Sequence, residues 1–387
     1  MTLSPRSGAP SDRVSSLDGL RGVAILMVLF HHLFVFDPVG FLGQHLAVLV
    51  EFSGHGVDLF FALSGFLITR QLAVSRTAPG FAARFWLHRF AKIVPLYLLI
   101  TFGVFVLLKP LLLVTGHGEK LSWLSAGREQ WPWYLLFSSN IRNALDARFT
   151  NPALDVSWSL AVEVQFYVLA FVAARLVAPA RWPRIAVVAI AAALAFRTAA
   201  VLCGAGWIPI LVLTPGRIDA FACGSLAAMA PTMLARCPTF VLWSLAALPI
   251  VTPWSRANPA VETVGYTLVA ILAGVTIERV CRVRSTSRSI RILESPVLVM
   301  FGRISYSVYL THLPVRAALR DCLLSHVRPL DTPGAWLAQL GFWAGAGSVC
   351  TLCGWLTWRF FEEPARRAIV GLLQPRPVAV PCALRGS

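Results

Sequence analysis

Long apolar runs recur along the chain, and their lengths match a membrane rather than a water-exposed core. An α-helix needs about 20 predominantly apolar residues to cross a hydrocarbon layer about 30 Å thick. Such runs lie near 20–36, 52–72, 91–108, 158–176 and 185–202, and again near 215–234, 240–252, 261–280, 296–319 and 335–358. The seventh is the shortest and stops at Pro253. The pattern predicts an all-α, polytopic membrane protein with about ten transmembrane helices. The first run is long enough to span and nothing before Leu20 has the form of a signal-peptide core, so it reads as an uncleaved first helix.

Charge orients the spans. Arginine and lysine gather in alternate connectors: at Arg6 and Arg13, from 70 to 92, from 175 to 184, at Arg236, from 279 to 291, and beyond 359. By the positive-inside rule both termini face the cytoplasm. The long connector 109–156 carries several positive charges, but at that length the rule loses force. Arg320 and Arg328, in the ninth connector, depart from the alternation. The cluster Trp131-Pro132-Trp133-Tyr134 predicts an interfacial or re-entrant segment at the outer face. Residues 1–16 form a cytoplasmic tail, 17–367 the membrane domain, and 368–387 a cytoplasmic tail expected to be disordered.

Composition agrees: of 387 residues 57% are hydrophobic and 13% charged, and the mean hydropathy is +0.69, which excludes an ordinary soluble domain. The formal charge of +16 does not indicate nucleic acid, because the arginines flank apolar runs instead of forming one basic face. Eight cysteines are scattered, and the Cys350–Cys353 pair has no second pair at zinc spacing, so no metal is expected.

Ionisable side chains inside apolar runs carry the functional signal, since each costs at least about 2.5 to 3.5 kcal/mol to insert. Arg21 and His32 stand eleven residues apart in the first span, on one face and about 16 Å from each other along an α-helix. His31 points about 80° away and reads as packing or an accessory. Arg89 and Lys92 share a helical face at the cytoplasmic start of span three and could grip phosphate oxygens. Anchoring by the inner leaflet explains that pair equally well. Asp58, Glu163, Arg217, Asp219, Tyr309 and His312 all fall in the outer half, which predicts one polar chamber at a common depth. Interhelical ion pairs, such as Asp58 or Asp219 with Arg217, are the structural alternative.

These segments, in this order, resemble the acyltransferase 3 family of integral-membrane O-acyltransferases. The carriers are Leu17-Asp18-Gly19-Leu20-Arg21-Gly22 with His32, residues 56–66, residues 89–97, residues 158–167, Arg217-Ile218-Asp219-Ala220, residues 302–312 and Phe361-Glu362-Glu363-Pro364. The resemblance implies that Arg21 and His32 are the family's arginine-x10-histidine pair, with the histidine essential for transfer. It also implies that Arg89 and Lys92 occupy the family's R-x-x-R, thought to hold the donor; here lysine keeps the charge and loses the guanidinium fork. Glu163 falls on the glutamate of the family's E-x-Q-F-Y, with Val164 where a second glutamate is common. Many relatives add an extracytoplasmic hydrolase-like domain, and this chain is expected to be of the stand-alone type.

The expected activity is transfer of an acyl group, acetyl above all, from cytoplasmic acyl-CoA to a hydroxyl acceptor in a bacterial cytoplasmic (inner) membrane, with no metal. His32, Glu163 and Asp58 would be catalytic; Arg21, Arg89 and Lys92 would hold the donor; Arg217, Asp219, Tyr309 and His312 would line the acceptor side. His32 would act as general base or carry the acyl group itself. A surface carbohydrate hydroxyl is the first choice of acceptor, and a macrolide-type metabolite the second. A secondary transporter, which also buries charges at mid-membrane, is the rival from another class.

Overall fold

A computed structural model of the chain describes residues 15–107, 130–238, 255, 258–283, 287–323 and 329–372. Among these residues the structure is helical, with one isolated bridge between Asp37 and Pro329. The main helices are α1 (Ser15–His32), α2 (Gly40–Ser53), α3 (Gly56–Ser75), α4 (Phe81–Phe102) and α5 (Ser157–Leu176). They continue with α6 (Trp182–Leu202), α7 (Thr214–Met229), α8 (Tyr266–Arg282), α9 (Pro296–Leu323) and α10 (Pro333–Thr357). Among the described residues, six stretches are long and apolar enough to cross a membrane: Gly40–Ser75, Phe81–Val106, Ser157–Leu176, Pro179–Leu202, Trp207–Met229 and Val261–Arg282.

Nine of the ten predicted apolar windows fall on helices, and the window at 240–252 lies outside the described residues, as do Arg328 and both extreme tails. Helix α2 was not predicted. It ends at the turn of Gly54 and His55, which divides one long apolar stretch into two helices. The aromatic cluster forms the short helix Trp131–Leu135, with Trp131 exposed and Tyr134 buried beneath it, its carbonyl accepting from the Tyr97 hydroxyl at 2.9 Å.

Two helix crossings set the site. Helix α1 packs along α9, and α7 lies between α3, α6 and α8, while α10 covers α9. A Cβ on Gly302 would overlap the Asp18 carbonyl oxygen at the first crossing. At the second, a Cβ on Gly65 would overlap the Phe221 carbonyl oxygen, and one on Gly224 that of Ala62. Close backbone approach through small residues is how helices gain contact where lipid and protein are equally apolar.

Helix α1 stops inside the protein, where freed backbone groups cannot turn to water. The Gln339 side chain of α10, fully buried, satisfies them: its amide donates to the Leu33 carbonyl and its oxygen accepts from Val35 N–H, both at 3.0 Å. That arrangement fixes the end of α1 that carries His31 and His32.

Candidate active site

Two cavities are stacked along the bundle. The outer one has a volume of about 240 Å³ and is lined by His31 and His32 from the end of α1, Asp58 from α3, Arg217 from α7 and Tyr309 from α9. Asp155, on the loop before α5, completes the wall. The smaller inner cavity, about 50 Å³, is lined by Arg21, Ser64, Lys92, Glu163 and Tyr306. Val57 and Tyr309 line both. The Tyr309 hydroxyl is hydrogen-bonded to Ser159 Oγ at 2.6 Å, so this pair stands at the partition.

Hydrogen bonding fixes the chemistry of His32. His312 Nδ1 lies 2.7 Å from the Tyr309 carbonyl and 3.2 Å from that of Val308, and a carbonyl only accepts. His312 Nδ1 therefore carries the proton, and in the neutral ring Nε2 is an acceptor. His32 Nδ1 is 3.2 Å from that Nε2 and 3.0 Å from the Val28 carbonyl, so it is the donor to both. His32 is left with Nε2 as its basic nitrogen, the tautomer a general base requires. His31 turns its Nδ1 to the Val50 carbonyl at 2.8 Å and packs edge-on against His32.

The carboxylates divide between the levels. Asp58 is buried and paired with Arg217 and with His55 Nδ1, the latter at 2.7 Å. The Arg217 guanidinium also lies 4.2 Å from the centre of the Tyr266 ring. Glu163 accepts from Ser64 Oγ and from the Tyr167 hydroxyl, the second at 2.5 Å. Ser64 is six positions beyond Asp58 on the same helix, or about 9 Å deeper. The single chamber expected from the sequence is thus two layers. Helices α3 and α5 run side by side, with Phe61 against Trp158, and Glu163 sits more than a turn below Trp158.

Cationic groups gather at the inner level. Lys92 lies within electrostatic reach of Arg21, Arg89, Glu163 and Glu362. Arg89 stands beside the cavity instead of lining it, bonded to Gln71 and 5.5 Å from the centre of the Tyr167 ring. The Nε atoms of Arg21 and Arg89 are buried and make no hydrogen bond, which suits an anionic ligand. Glu362 of the Phe361-Glu362-Glu363-Pro364 motif accepts from Ser307 Oγ at 2.5 Å.

Two expected acceptor residues point elsewhere. Asp219 faces away from the outer cavity toward α6 and α8, held by Arg197 at 2.8 Å and Thr267 at 3.2 Å. His312 is fully buried behind His32. Sequence reasoning overlooked Arg197, His55 and Asp155. Arg197 carried a readable signal, as a lone arginine within the apolar run 185–202.

The site places Arg21 and His32 on one helix, each on the wall of its own cavity, and the sequence around them matches the acyltransferase 3 model, an acyltransferase domain, over residues 14–359. The chain belongs to this family. It is similar to the peptidoglycan O-acetyltransferase OatA of Listeria monocytogenes, with 26% identity over 92% of this chain and 56% of that protein. The putative peptidoglycan O-acetyltransferase YrhL of Bacillus subtilis is 25% identical over 91% of this chain and 55% of its own length. The O-acetyltransferase OatA of Staphylococcus aureus is 31% identical over 40% of this chain and 23% of that protein. This family member therefore spans about half the length of the first two. No solved structure matches it.

Proposed function

We propose that the protein is a membrane O-acetyltransferase that moves an acetyl group from acetyl-CoA to a hydroxyl of a carbohydrate, at a bacterial cytoplasmic membrane. In this reading residues 17–367 form the catalytic membrane domain with about ten spans, and both tails are cytoplasmic. The names of its relatives support a polysaccharide acceptor, and a macrolide-type acceptor is the alternative. The observation that carries the reading is the hydrogen bonding of His32 Nδ1 to the Val28 carbonyl and His312, which leaves Nε2 as the basic nitrogen on the wall of a polar cavity, on the helix whose other end brings Arg21 to a cationic one.

The donor's phosphates rest against Arg21, Lys92 and Arg89, and the pantetheine arm extends outward. The separation of Arg21 from His32, about 16 Å along α1, matches that reach. His32 Nε2 takes the proton of the acceptor hydroxyl as its oxygen attacks the thioester carbonyl. The tetrahedral intermediate then collapses, expelling the CoA thiolate, which takes up the proton, and the acetate ester leaves. Arg217 and Asp58 shape the acceptor side; Glu163 orders the inner layer and Tyr309 the partition. Asp219 and His312 act from behind the wall.

Purified protein in nanodiscs, given radiolabelled acetyl-CoA and a β-1,4-linked N-acetylglucosamine trimer, should label the sugar. His32→Ala should lower transfer by about 10²- to 10⁴-fold while the protein stays monodisperse. Transfer undiminished in that variant would overturn the mechanism.

A further inference from the structure

The loop before α5 forms part of the outer cavity. Pro152, Asp155 and Val156 all line the cavity that His32 lines. The loop is well held: Asn151 is fully buried, its Oδ1 accepts from Ala153 N–H at 3.0 Å, and its carbonyl accepts from Leu154 N–H at 2.9 Å. These bonds set Asp155 in place.

One oxygen of the Asp155 carboxyl group has no hydrogen-bond partner. Oδ1 is buried and unpaired, while the group takes a backbone hydrogen bond from Asn151. An acid beside a helix N-terminus ordinarily serves the helix by capping it or facing its dipole. Here the N-cap position is Val156, and no side chain caps the helix. Burial pushes the Asp155 carboxyl up to about 7, with only the Asn151 contact opposing it. The helix end thus does not hold this acid in its charged form. A buried, unsatisfied carboxyl oxygen costs free energy unless something donates to it.

We propose that Asp155 is an acceptor-binding residue, receiving a hydrogen bond from a hydroxyl of a polyhydroxylated acceptor in the outer cavity. The inference rests on the acyltransferase reading of the site and deepens it. It adds a recognition point that neither the sequence motifs nor the family pattern singled out. The hydroxyl bound here is distinct from the one deprotonated by His32, so the acceptor carries at least two hydroxyls within one cavity of about 240 Å³. A sugar ring has that chemistry; a simple alcohol does not.

The experiment uses the full chain in nanodiscs and the N-acetylglucosamine trimer as probe. Asp155→Ala should weaken equilibrium binding of the trimer about tenfold or more, the scale for losing a hydrogen bond to a carboxylate. The KM for the trimer should rise in parallel, with the KM for acetyl-CoA unchanged. Asp155→Asn, which keeps an accepting oxygen and the side-chain volume, should fall between the two proteins. Equal trimer binding by wild type and both variants would overturn the assignment. So would a rise in the acetyl-CoA KM of the same size, which would mark a general loss of structure. The two readings fail separately: loss of turnover in His32→Ala tests the transfer mechanism, whereas trimer binding by Asp155→Ala, measured without acetyl-CoA, tests this assignment.

Discussion

His312 Nε2 lies 3.2 Å from His32 Nδ1, across the crossing of α9 and α1. The Val28 carbonyl oxygen, 3.0 Å from the same Nδ1, shares its proton. Two acceptors on one N–H hold the ring in a single tautomer, and both gain strength when His32 becomes an imidazolium. Leucine at 312 removes the second acceptor, while glutamine offers an oxygen near its position. His312→Leu should lower kcat about 100-fold with the acetyl-CoA KM unchanged, and His312→Gln should stay within about tenfold of wild type. Steady-state kinetics decides the matter: equal losses in both variants would reduce His312 to a packing residue.

The inner cations separate by role. Arg21 and Lys92 line the inner cavity, whereas Arg89 stands beside it, held by Gln71 and the Tyr167 ring with its Nε unbonded. Arg21→Ala and Lys92→Ala should each raise the KM for acetyl-CoA about tenfold, the scale of a charge-assisted contact. Lys92→Arg should remain close to wild type, because it restores a fork without changing charge. A KM that moves for the trimer and not for acetyl-CoA would place the donor elsewhere.

Arg197 and Asp219 form a buried pair behind the wall of the outer cavity, where the Arg197 guanidinium lies 5.8 Å from the centre of the Tyr266 ring. Arg197 also donates to the carbonyls of Gly216 and Thr263, the latter in the π-helical turn Val261–Gly265 that precedes α8. Arg197→Leu leaves Asp219 without its cation and should destabilise the fold by about 3 to 5 kcal/mol. The double variant Arg197→Leu with Asp219→Leu should regain part of that loss. Thermal unfolding in detergent measures both, and a double variant no more stable than the single one would contradict this account.

Gly224 marks the tightest part of the α3–α7 crossing, against the Ala62 carbonyl. Gly224→Ala forces the two backbones apart and should cost about 1 to 3 kcal/mol, with a lower unfolding midpoint and a reduced yield of monodisperse protein. Unchanged stability would mean that the crossing can relax.

The sequence by itself determined the helices and the inventory of groups. Apolar runs of span length fix helical segments because lipid admits few other ways to satisfy a backbone. Arg21 and His32 could be assigned to one face from spacing alone, because both lie on a single helix with a known rise. Separations between helices were another matter. The sequence put Asp58 and Glu163 at one depth, yet the pairing of Ser64 with Glu163 sets Glu163 about 9 Å below Asp58. The offset depends on how α3 and α5 slide against each other, and that is set by packing among several helices. Partner choice had the same origin: Arg217 took Asp58, Asp219 took Arg197, and His312 went behind His32. Ion pairs and hydrogen bonds between helices join residues more than a hundred positions apart, so only the tertiary structure could choose among them. Asp155 shows this most plainly, as an unremarkable loop acid in the sequence that folding brings, with one oxygen unpaired, to the wall of the outer cavity.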